Sequence, residues 1–109
     1  GAGYLFGNSQ AKEFCHNNKI KLITRSHQLA DDGYRWYFKN GEKPKDDKDC
    51  DKPVGNLLLV WSAPNYAYRS KNKATILDIK EGRYRLKQFN EAEKRIDLGD
   101  RNVSIPFFA

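Results

Sequence analysis

The feature that most constrains the fold is an uninterrupted apolar run, Leu57 to Trp61, near the middle of the chain. A run of this length is typical of a β-strand that is covered on both faces. Pro64 stops the strand because proline has no N–H to donate to a neighbouring strand. The run is therefore expected to be a strand that is buried on both faces.

Residues before this run predict a short helix. Asn8 or Ser9 is expected to cap the helix, which ends at Asn17 and Asn18. A buried stripe is predicted from apolar side chains at positions i, i+3 and i+4, which lie on one face of a helix. These side chains are Ala11, Phe14 and Cys15.

Four further strands are predicted from β-branched and aromatic residues, most of them with a period of two. They span residues 20–24, 34–39, 73–79 and 83–89, and the last two form a hairpin around Glu81 and Gly82. Residues 39–56 are rich in Lys and Asp and predict a solvated, mobile loop, and residues 91–109 predict a polar tail. The pattern indicates an α+β fold, either a mainly antiparallel sheet with one helix beside it or half of a larger sandwich.

The charge of the chain is basic, with a formal net charge of +6 over 109 residues. Lys and Arg are spread along the sequence between Asp and Glu, whereas a nucleic-acid-binding face usually clusters basic residues on one element. We therefore expect no specific nucleic-acid partner. No apolar run approaches the ~18 residues of a membrane span, so we expect no membrane partner and a cytoplasmic or nuclear location.

The residue types do not form a self-sufficient catalytic set. Cys15 and Cys50 have unlike surroundings and no zinc-ligand spacing, so reduced, unpaired thiols are expected. No nucleophile-elbow motif is present. The sequence has two histidines, His16 and His27, whereas a metal site needs three or more ligands. His27 follows a predicted strand, where either a structural or a ligand role is open.

Several short motifs occur together in a fixed order, and their combination resembles one enzyme family. The motifs are Gly1–Gly7, Thr24–Leu29, Asp32-Gly33-Tyr34, Trp61–Tyr66 and Tyr68-Arg69. Over about residues 1–90 the chain resembles the C-terminal part of the catalytic domain of serine/threonine protein phosphatases of the phosphoprotein phosphatase family. Tyr68-Arg69 and the first four residues resemble its type 2A-like branch.

The resemblance implies a metallophosphatase-type β-sandwich flanked by helices and a site with two divalent metal ions, manganese, iron or zinc. His27 matches the last metal-ligating histidine of the family, and Tyr66 matches its active-site tyrosine. The implied activity is hydrolysis of phosphoserine and phosphothreonine on proteins, with regulatory or scaffold subunits as further partners. The other metal ligands of the family precede the segment that matches Gly1, so we expect an incomplete segment that is inactive by itself.

Three departures from the family pattern are visible in the sequence. Ser26 stands where the family usually has alanine, Ala67 replaces a frequent cysteine, and residues 39–56 are longer than the usual connection. We therefore expect an inserted loop at 39–56 within the catalytic-domain segment. The alternative to a phosphatase segment is a truncated, catalytically inactive product that acts as a protein-binding module.

Overall fold

The computed structural model describes residues 3–41 and 46–93. The regular elements in chain order are α1 (Asn8–Asn18), β1 (Ile23–Arg25), β2 (Tyr34–Lys39), β3 (Asp49–Cys50), β4 (Gly55–Val60), β5 (Ala74–Lys80) and β6 (Arg83–Phe89). A short 3-10 turn, Tyr66–Tyr68, lies between β4 and β5. Within the described residues no helix is long and apolar enough to span a membrane.

The strands form two small sheets, with orders β1-β4-β2 and β3-β6-β5. The β1–β4 pairing is parallel, and the other three pairings are antiparallel, which agrees with the predicted mainly antiparallel arrangement. Trp36 and Leu58 from the first sheet, Leu86 from the second and Val54 form a buried cluster that joins the two sheets. The strand predicted at Leu57–Trp61 is β4, which lies between β1 and β2 and also contacts α1.

Two details of the helix prediction are wrong. The N-cap is Gly7 rather than Asn8 or Ser9, and the Gly7 N–H donates to Oε1 of Gln10 at 3.0 Å. Ala11 and Cys15 are buried, but Phe14 is 51% exposed. The helix contacts β4. Side chains at positions i and i+4, which are Ala11 and Cys15, are buried, whereas the side chain of Phe14 at i+3 stays largely outside the buried stripe.

The first strand begins later than predicted, at Ile23 rather than at residue 20. Lys19 takes a left-handed conformation (φ 54°), and the Ile20 N–H donates to the Cys15 carbonyl at 2.9 Å. This bond satisfies a carbonyl at the end of the helix, as is common in helix C-caps. Ile20 therefore belongs to the helix terminus, despite its β-branched side chain.

The prediction of a solvated loop at 39–56 is wrong for its described second half. Asp49 and Cys50 form β3 against β6, Val54 is 6% exposed, and β4 begins at Gly55. The Tyr34 hydroxyl donates to Oδ1 of Asp47 at 2.8 Å. Contacts with distant residues thus fix a segment whose own composition has little apolar content. The structure thereby has a sixth strand in its described part, where five were predicted.

Charge contacts stabilise β3 at the surface. Nη2 of Arg83 donates to Oδ1 of Asp49 at 2.7 Å, and this bond lowers the pKa of Asp49. Both cysteines are free thiols. Burial and the nearby carboxylates of Asp49 and Asp51 raise the pKa of Cys50. The described part of the predicted 91–109 tail, residues 91–93, is exposed, and residues 94–109 lie outside the described residues.

Tyr34 provides a pH-dependent test of this packing. Burial, and then the hydrogen bond to Asp47, raise the pKa of its phenol above the ordinary tyrosine value of about 10. A raised folded-state pKa means that stability from this site is complete below pH about 10 and is lost as the pH rises further. We expect Tyr34→Phe to lower the free energy of unfolding by about 1 kcal/mol at neutral pH, and this difference to shrink above pH about 10.

Ultraviolet absorbance titration and denaturant unfolding at several pH values check this prediction. The wild-type chain should contain a late-ionising phenol that is missing from Tyr34→Phe. Loss in Tyr34→Phe of a phenol that ionises at an ordinary pKa of about 10 would contradict the raised pKa of Tyr34.

Candidate functional site

The parallel pair β1–β4 brings two loops to one edge of the first sheet. Ile23, Thr24 and Arg25 pair with Leu57, Leu58 and Leu59 in register. Parallel strands end at the same edge, so the loop after β1 and the loop after β4 both leave from this edge. His27 lies in the loop that follows β1, and Tyr66 lies in the loop that follows β4. The chain therefore positions its predicted site residues on adjacent loops.

His27 lies in the turn that follows β1. Its side chain is exposed, and its backbone is left-handed with φ 85°. The guanidinium of Arg25 spans this turn, because Nη1 donates to Oε1 of Gln28 at 2.6 Å and Nη2 donates to the Ser26 carbonyl at 3.3 Å. These bonds hold the chain on both sides of the imidazole.

Tyr66 begins the 3-10 turn after β4 and is half exposed. Its ring contacts the ring of Trp61 edge to face, with centroids 4.9 Å apart. Nε1 of Trp61 donates to the Ala63 carbonyl at 2.8 Å, which fixes the indole against its own loop. The phenol of Tyr66 is thus supported on one side by an anchored indole and is open to solvent on another.

The backbone of Trp61 connects two of the sequence motifs with β5. Its N–H donates to the Gly33 carbonyl and its carbonyl accepts from the Thr75 N–H, both at 2.8 Å. The Asp32 carbonyl accepts from Oγ1 of Thr75 at 3.2 Å and from Nε2 of Gln88 at 2.9 Å. The Asp32-Gly33-Tyr34 motif therefore ties the loop after β4 to β5 and β6.

The N-terminal motif lies beside these loops but is packed loosely. Tyr4 and Leu5 are almost fully exposed, and the Phe6 ring contacts the Phe38 ring at a centroid distance of 6.1 Å. A cavity of about 530 Å³ separates this segment from Arg25, Gln28 and the strand residues beneath. Gly1 and Ala2 lie outside the described residues.

Asn72 is a residue of this site that the sequence did not indicate. Its side chain is buried, and its Oδ1 accepts from the Tyr66 N–H at 2.8 Å. An asparagine between two lysines in a polar loop carries no special signal, since asparagine is common in turns. Only the folded loop shows that this amide is enclosed.

A metal centre requires more donors than this part of the chain provides. Within residues 3–41 and 46–93, no three His, Cys, Asp or Glu side chains are grouped as metal ligands. The exposed imidazole of His27 can offer one ring nitrogen to a borderline cation such as Zn²⁺ or Mn²⁺. The described residues therefore fit one ligand of a metal site and not a complete one.

Comparisons with known proteins place this arrangement among phosphatases, although no protein-family model matches the chain. The chain is 43% identical over 84 residues to serine/threonine-protein phosphatase PP2A-like PPG1 of Candida albicans, over 77% of this chain and 17% of that protein. It is 38% identical over 106 residues to the serine/threonine-protein phosphatase 4 catalytic subunit of Kluyveromyces lactis, over 97% of this chain and 29% of that protein.

A solved structure shows the same architecture. It is a protein serine/threonine phosphatase from Saccharomyces cerevisiae with similarity to human phosphatase PP5, and the TM-score is 0.58 at 25% identity. The match covers 83% of this chain and 28% of that chain, so this chain spans less than a third of the length of these relatives. One helix and two mostly antiparallel sheets thus correspond to part of a phosphatase fold, which confirms the predicted fold class. By sequence and by fold, the chain belongs to the phosphoprotein phosphatase family of serine/threonine protein phosphatases, in its type 2A-like branch.

Proposed function

We propose that this chain is the segment of a metal-dependent serine/threonine protein phosphatase that contributes His27 as one metal ligand and Tyr66 as an active-site side chain. The observation that supports the proposal is the parallel β1–β4 pair, whose ends bring both loops to one edge of the sheet. We assign residues 1–90 to the catalytic domain, with 39–56 as an insertion, and 91–109 to a tail. The substrates are phosphoserine and phosphothreonine side chains of proteins.

In this proposal each side chain has one task. The imidazole of His27 would offer a ring nitrogen to a metal ion, and the hydrogen bond from Arg25 to Gln28 would hold the turn that carries the ring. The Tyr66 hydroxyl donates a hydrogen bond to a phosphoryl oxygen of the substrate. When bound, a pair of manganese, iron or zinc ions supplies the Lewis acidity that makes water a competent nucleophile near neutral pH. The remaining ligands come from residues other than those described.

A second candidate is a catalytically inactive protein-binding module. The exposed apolar side chains of Tyr4 and Leu5 favour it, because adjacent exposed apolar residues often mark a contact with another protein. The two candidates differ in whether the segment can complete a phosphatase site.

A chimaera separates these candidates. Residues 1–90 of this chain would replace the matching segment of the Kluyveromyces lactis phosphatase 4 catalytic subunit, which aligns with 97% of the chain. With manganese and a phosphothreonine peptide, we expect activity from the chimaera and none from the 109-residue chain alone. A chimaera that folds, binds manganese and does not hydrolyse the peptide would support the binding module instead.

Replacement of Tyr66 by phenylalanine tests the role of the hydroxyl in the same chimaera. We expect kcat to fall on the order of 10²-fold, as is typical when one donor to a developing negative charge is removed. The thermal midpoint should change little because the edge-to-face contact with Trp61 is made by the ring. The matched control is Tyr68→Phe, two residues further along the same exposed turn. Equal losses in the two variants would count against a specific role for Tyr66.

A further inference from the structure

The side chain of Asn72 closes the loop that carries Tyr66. Asn72 is 4% exposed, and its Nδ2 donates to the carbonyls of Ala63 and Lys73, both at 2.9 Å. Its Oδ1 accepts from the Tyr66 N–H at 2.8 Å, and its backbone carbonyl accepts from the Asn65 N–H at 3.0 Å. Asn72 therefore joins the start of the loop, the residue before the 3-10 turn, the turn itself and the residue before β5.

This loop has a backbone that local preferences alone do not favour. Asn65, Ala67, Tyr68 and Lys71 all have positive φ values, between 44° and 62°. Residues other than glycine rarely take this conformation, and a series of them persists only where the surroundings impose it. Oδ1 of Asn65 adds a second restraint by accepting from the Lys71 N–H at 2.9 Å. The conformation that presents Tyr66 thus depends on side-chain hydrogen bonds inside the loop.

The contacts of Asn72 require a primary amide on a short side chain. Two donor hydrogens and an acceptor oxygen are used at once. The amide of asparagine supplies all three on a short side chain, whereas a hydroxyl has one donor hydrogen. Aspartate would retain the acceptor but place a negative charge beside two carbonyl oxygens. Alanine would leave the Tyr66 N–H and two carbonyls without these partners.

We propose that Asn72 is a positioning residue that holds Tyr66 in place for the reaction. It fixes the Tyr66 backbone nitrogen, while the anchored indole of Trp61 restricts the ring. Together these contacts set where the phenol hydroxyl points at the edge of the parallel pair. The effect of Asn72 on the reaction rate rests on the proposed function. The hydrogen bond that restrains Tyr66 does not depend on any activity.

The first test measures that restraint on the 109-residue chain by amide hydrogen exchange. In the wild-type chain the Tyr66 N–H should be protected, and in Asn72→Ala its exchange should accelerate by about tenfold or more, consistent with loss of a closing hydrogen bond. Protection in β6 should stay unchanged. Continued protection of Tyr66 in the variant would overturn the proposal whether or not the protein is a phosphatase. If Asn72→Ala does not fold, Asn72→Leu provides the same comparison, since it removes the acceptor for the Tyr66 N–H and the two donors while nearly keeping the size.

The second test is a double-mutant cycle in the chimaera, with Asn72→Ala and Tyr66→Phe. Misplacement of a reacting group by about 1 Å can cost 10²-fold in rate, so we expect kcat to fall about tenfold to a hundredfold in Asn72→Ala with little change in KM. In the Asn72→Ala background, Tyr66→Phe should then have much less effect than in the wild type. The control is Arg83→Ala, an exposed residue at the turn end of the β5–β6 hairpin, the far end from Ala74, for which the two effects on kcat should multiply. Multiplying effects in the Asn72 cycle would show a merely structural role and reject the positioning role.

Discussion

Replacing His27 by alanine in the chimaera is expected to lower kcat by about 100-fold or more. Loss of a ligand removes a direct bond to a metal ion, and even outer-shell partners of metal ligands typically account for 10–100-fold. Manganese affinity should fall together with activity. The fold should be retained, because the His27 side chain is exposed. Steady-state kinetics and a manganese-binding isotherm measure the two effects.

His16 gives a matched control for this change. It is the other histidine of the sequence and lies exposed in the last turn of α1. His16→Ala should leave both kcat and manganese affinity unchanged. A chimaera in which His27→Ala keeps full activity, or in which both changes reduce it equally, would rule out the assigned ligand.

Replacing Gly33 by alanine is expected to destabilise the 109-residue chain by roughly 2–5 kcal/mol, the sum of backbone strain and overpacking. Gly33 has φ 83°, a conformation that residues with a Cβ rarely adopt. A Cβ on Gly33 would collide with Oγ1 of Thr75, and it would lie 2.6 Å from the Ala74 carbonyl carbon and 2.8 Å from the Thr75 nitrogen. Two of these three neighbours are backbone atoms, so the collision cannot be relieved by a change of rotamer.

The variant Gly82→Ala is the control that distinguishes backbone strain from steric collision. It has nearly the same φ, 79°, but a Cβ there would meet no atom within 4 Å. Gly82→Ala should therefore cost about 1–2 kcal/mol, the strain alone. Urea unfolding of both variants gives the comparison. A Gly33→Ala variant no less stable than Gly82→Ala would contradict the close contact between the Asp32-Gly33-Tyr34 motif and β5.

Local chemistry made some elements predictable. The strand predicted at 83–89 is β6 with the same bounds, because polar and apolar residues alternate along most of it. The turn at Glu81 and Gly82 has positive φ at both positions, as a two-residue hairpin turn requires. The run from Leu57 likewise predicted a strand buried on both faces, because apolar side chains in a continuous stretch need cover on both sides.

Elements fixed by distant partners were not predictable. Nothing in the sequence around Asp47 indicates that its carboxylate accepts from Tyr34 and its backbone carbonyl from Nε1 of Trp36. These bonds, and the pairing of β3 with β6, depend on residues 11 to more than 30 positions away. The composition of a segment reflects only residues that are neighbours in sequence, so it did not predict the structure of residues 46–56.

Part of the candidate site could likewise be predicted from the sequence, and part of it could not. The motifs located His27 and Tyr66 on loops that follow strands, and the structure has both loops at one edge of a parallel pair. The roles of these two residues as ligand and active-site side chain stay predictions. The contribution of Asn72 required the folded loop, because a buried amide with three hydrogen bonds is indistinguishable in sequence from an exposed one.

The most direct test of the central claim is paramagnetic broadening by Mn²⁺ in the chimaera, selectively labelled at histidine and tyrosine side chains. If the segment contributes to a metal site, substoichiometric Mn²⁺ should broaden the signals of His27 most strongly and of Tyr66 next, while His16 keeps its line width. Strong Mn²⁺-dependent phosphatase activity with an unbroadened His27 signal would contradict the account.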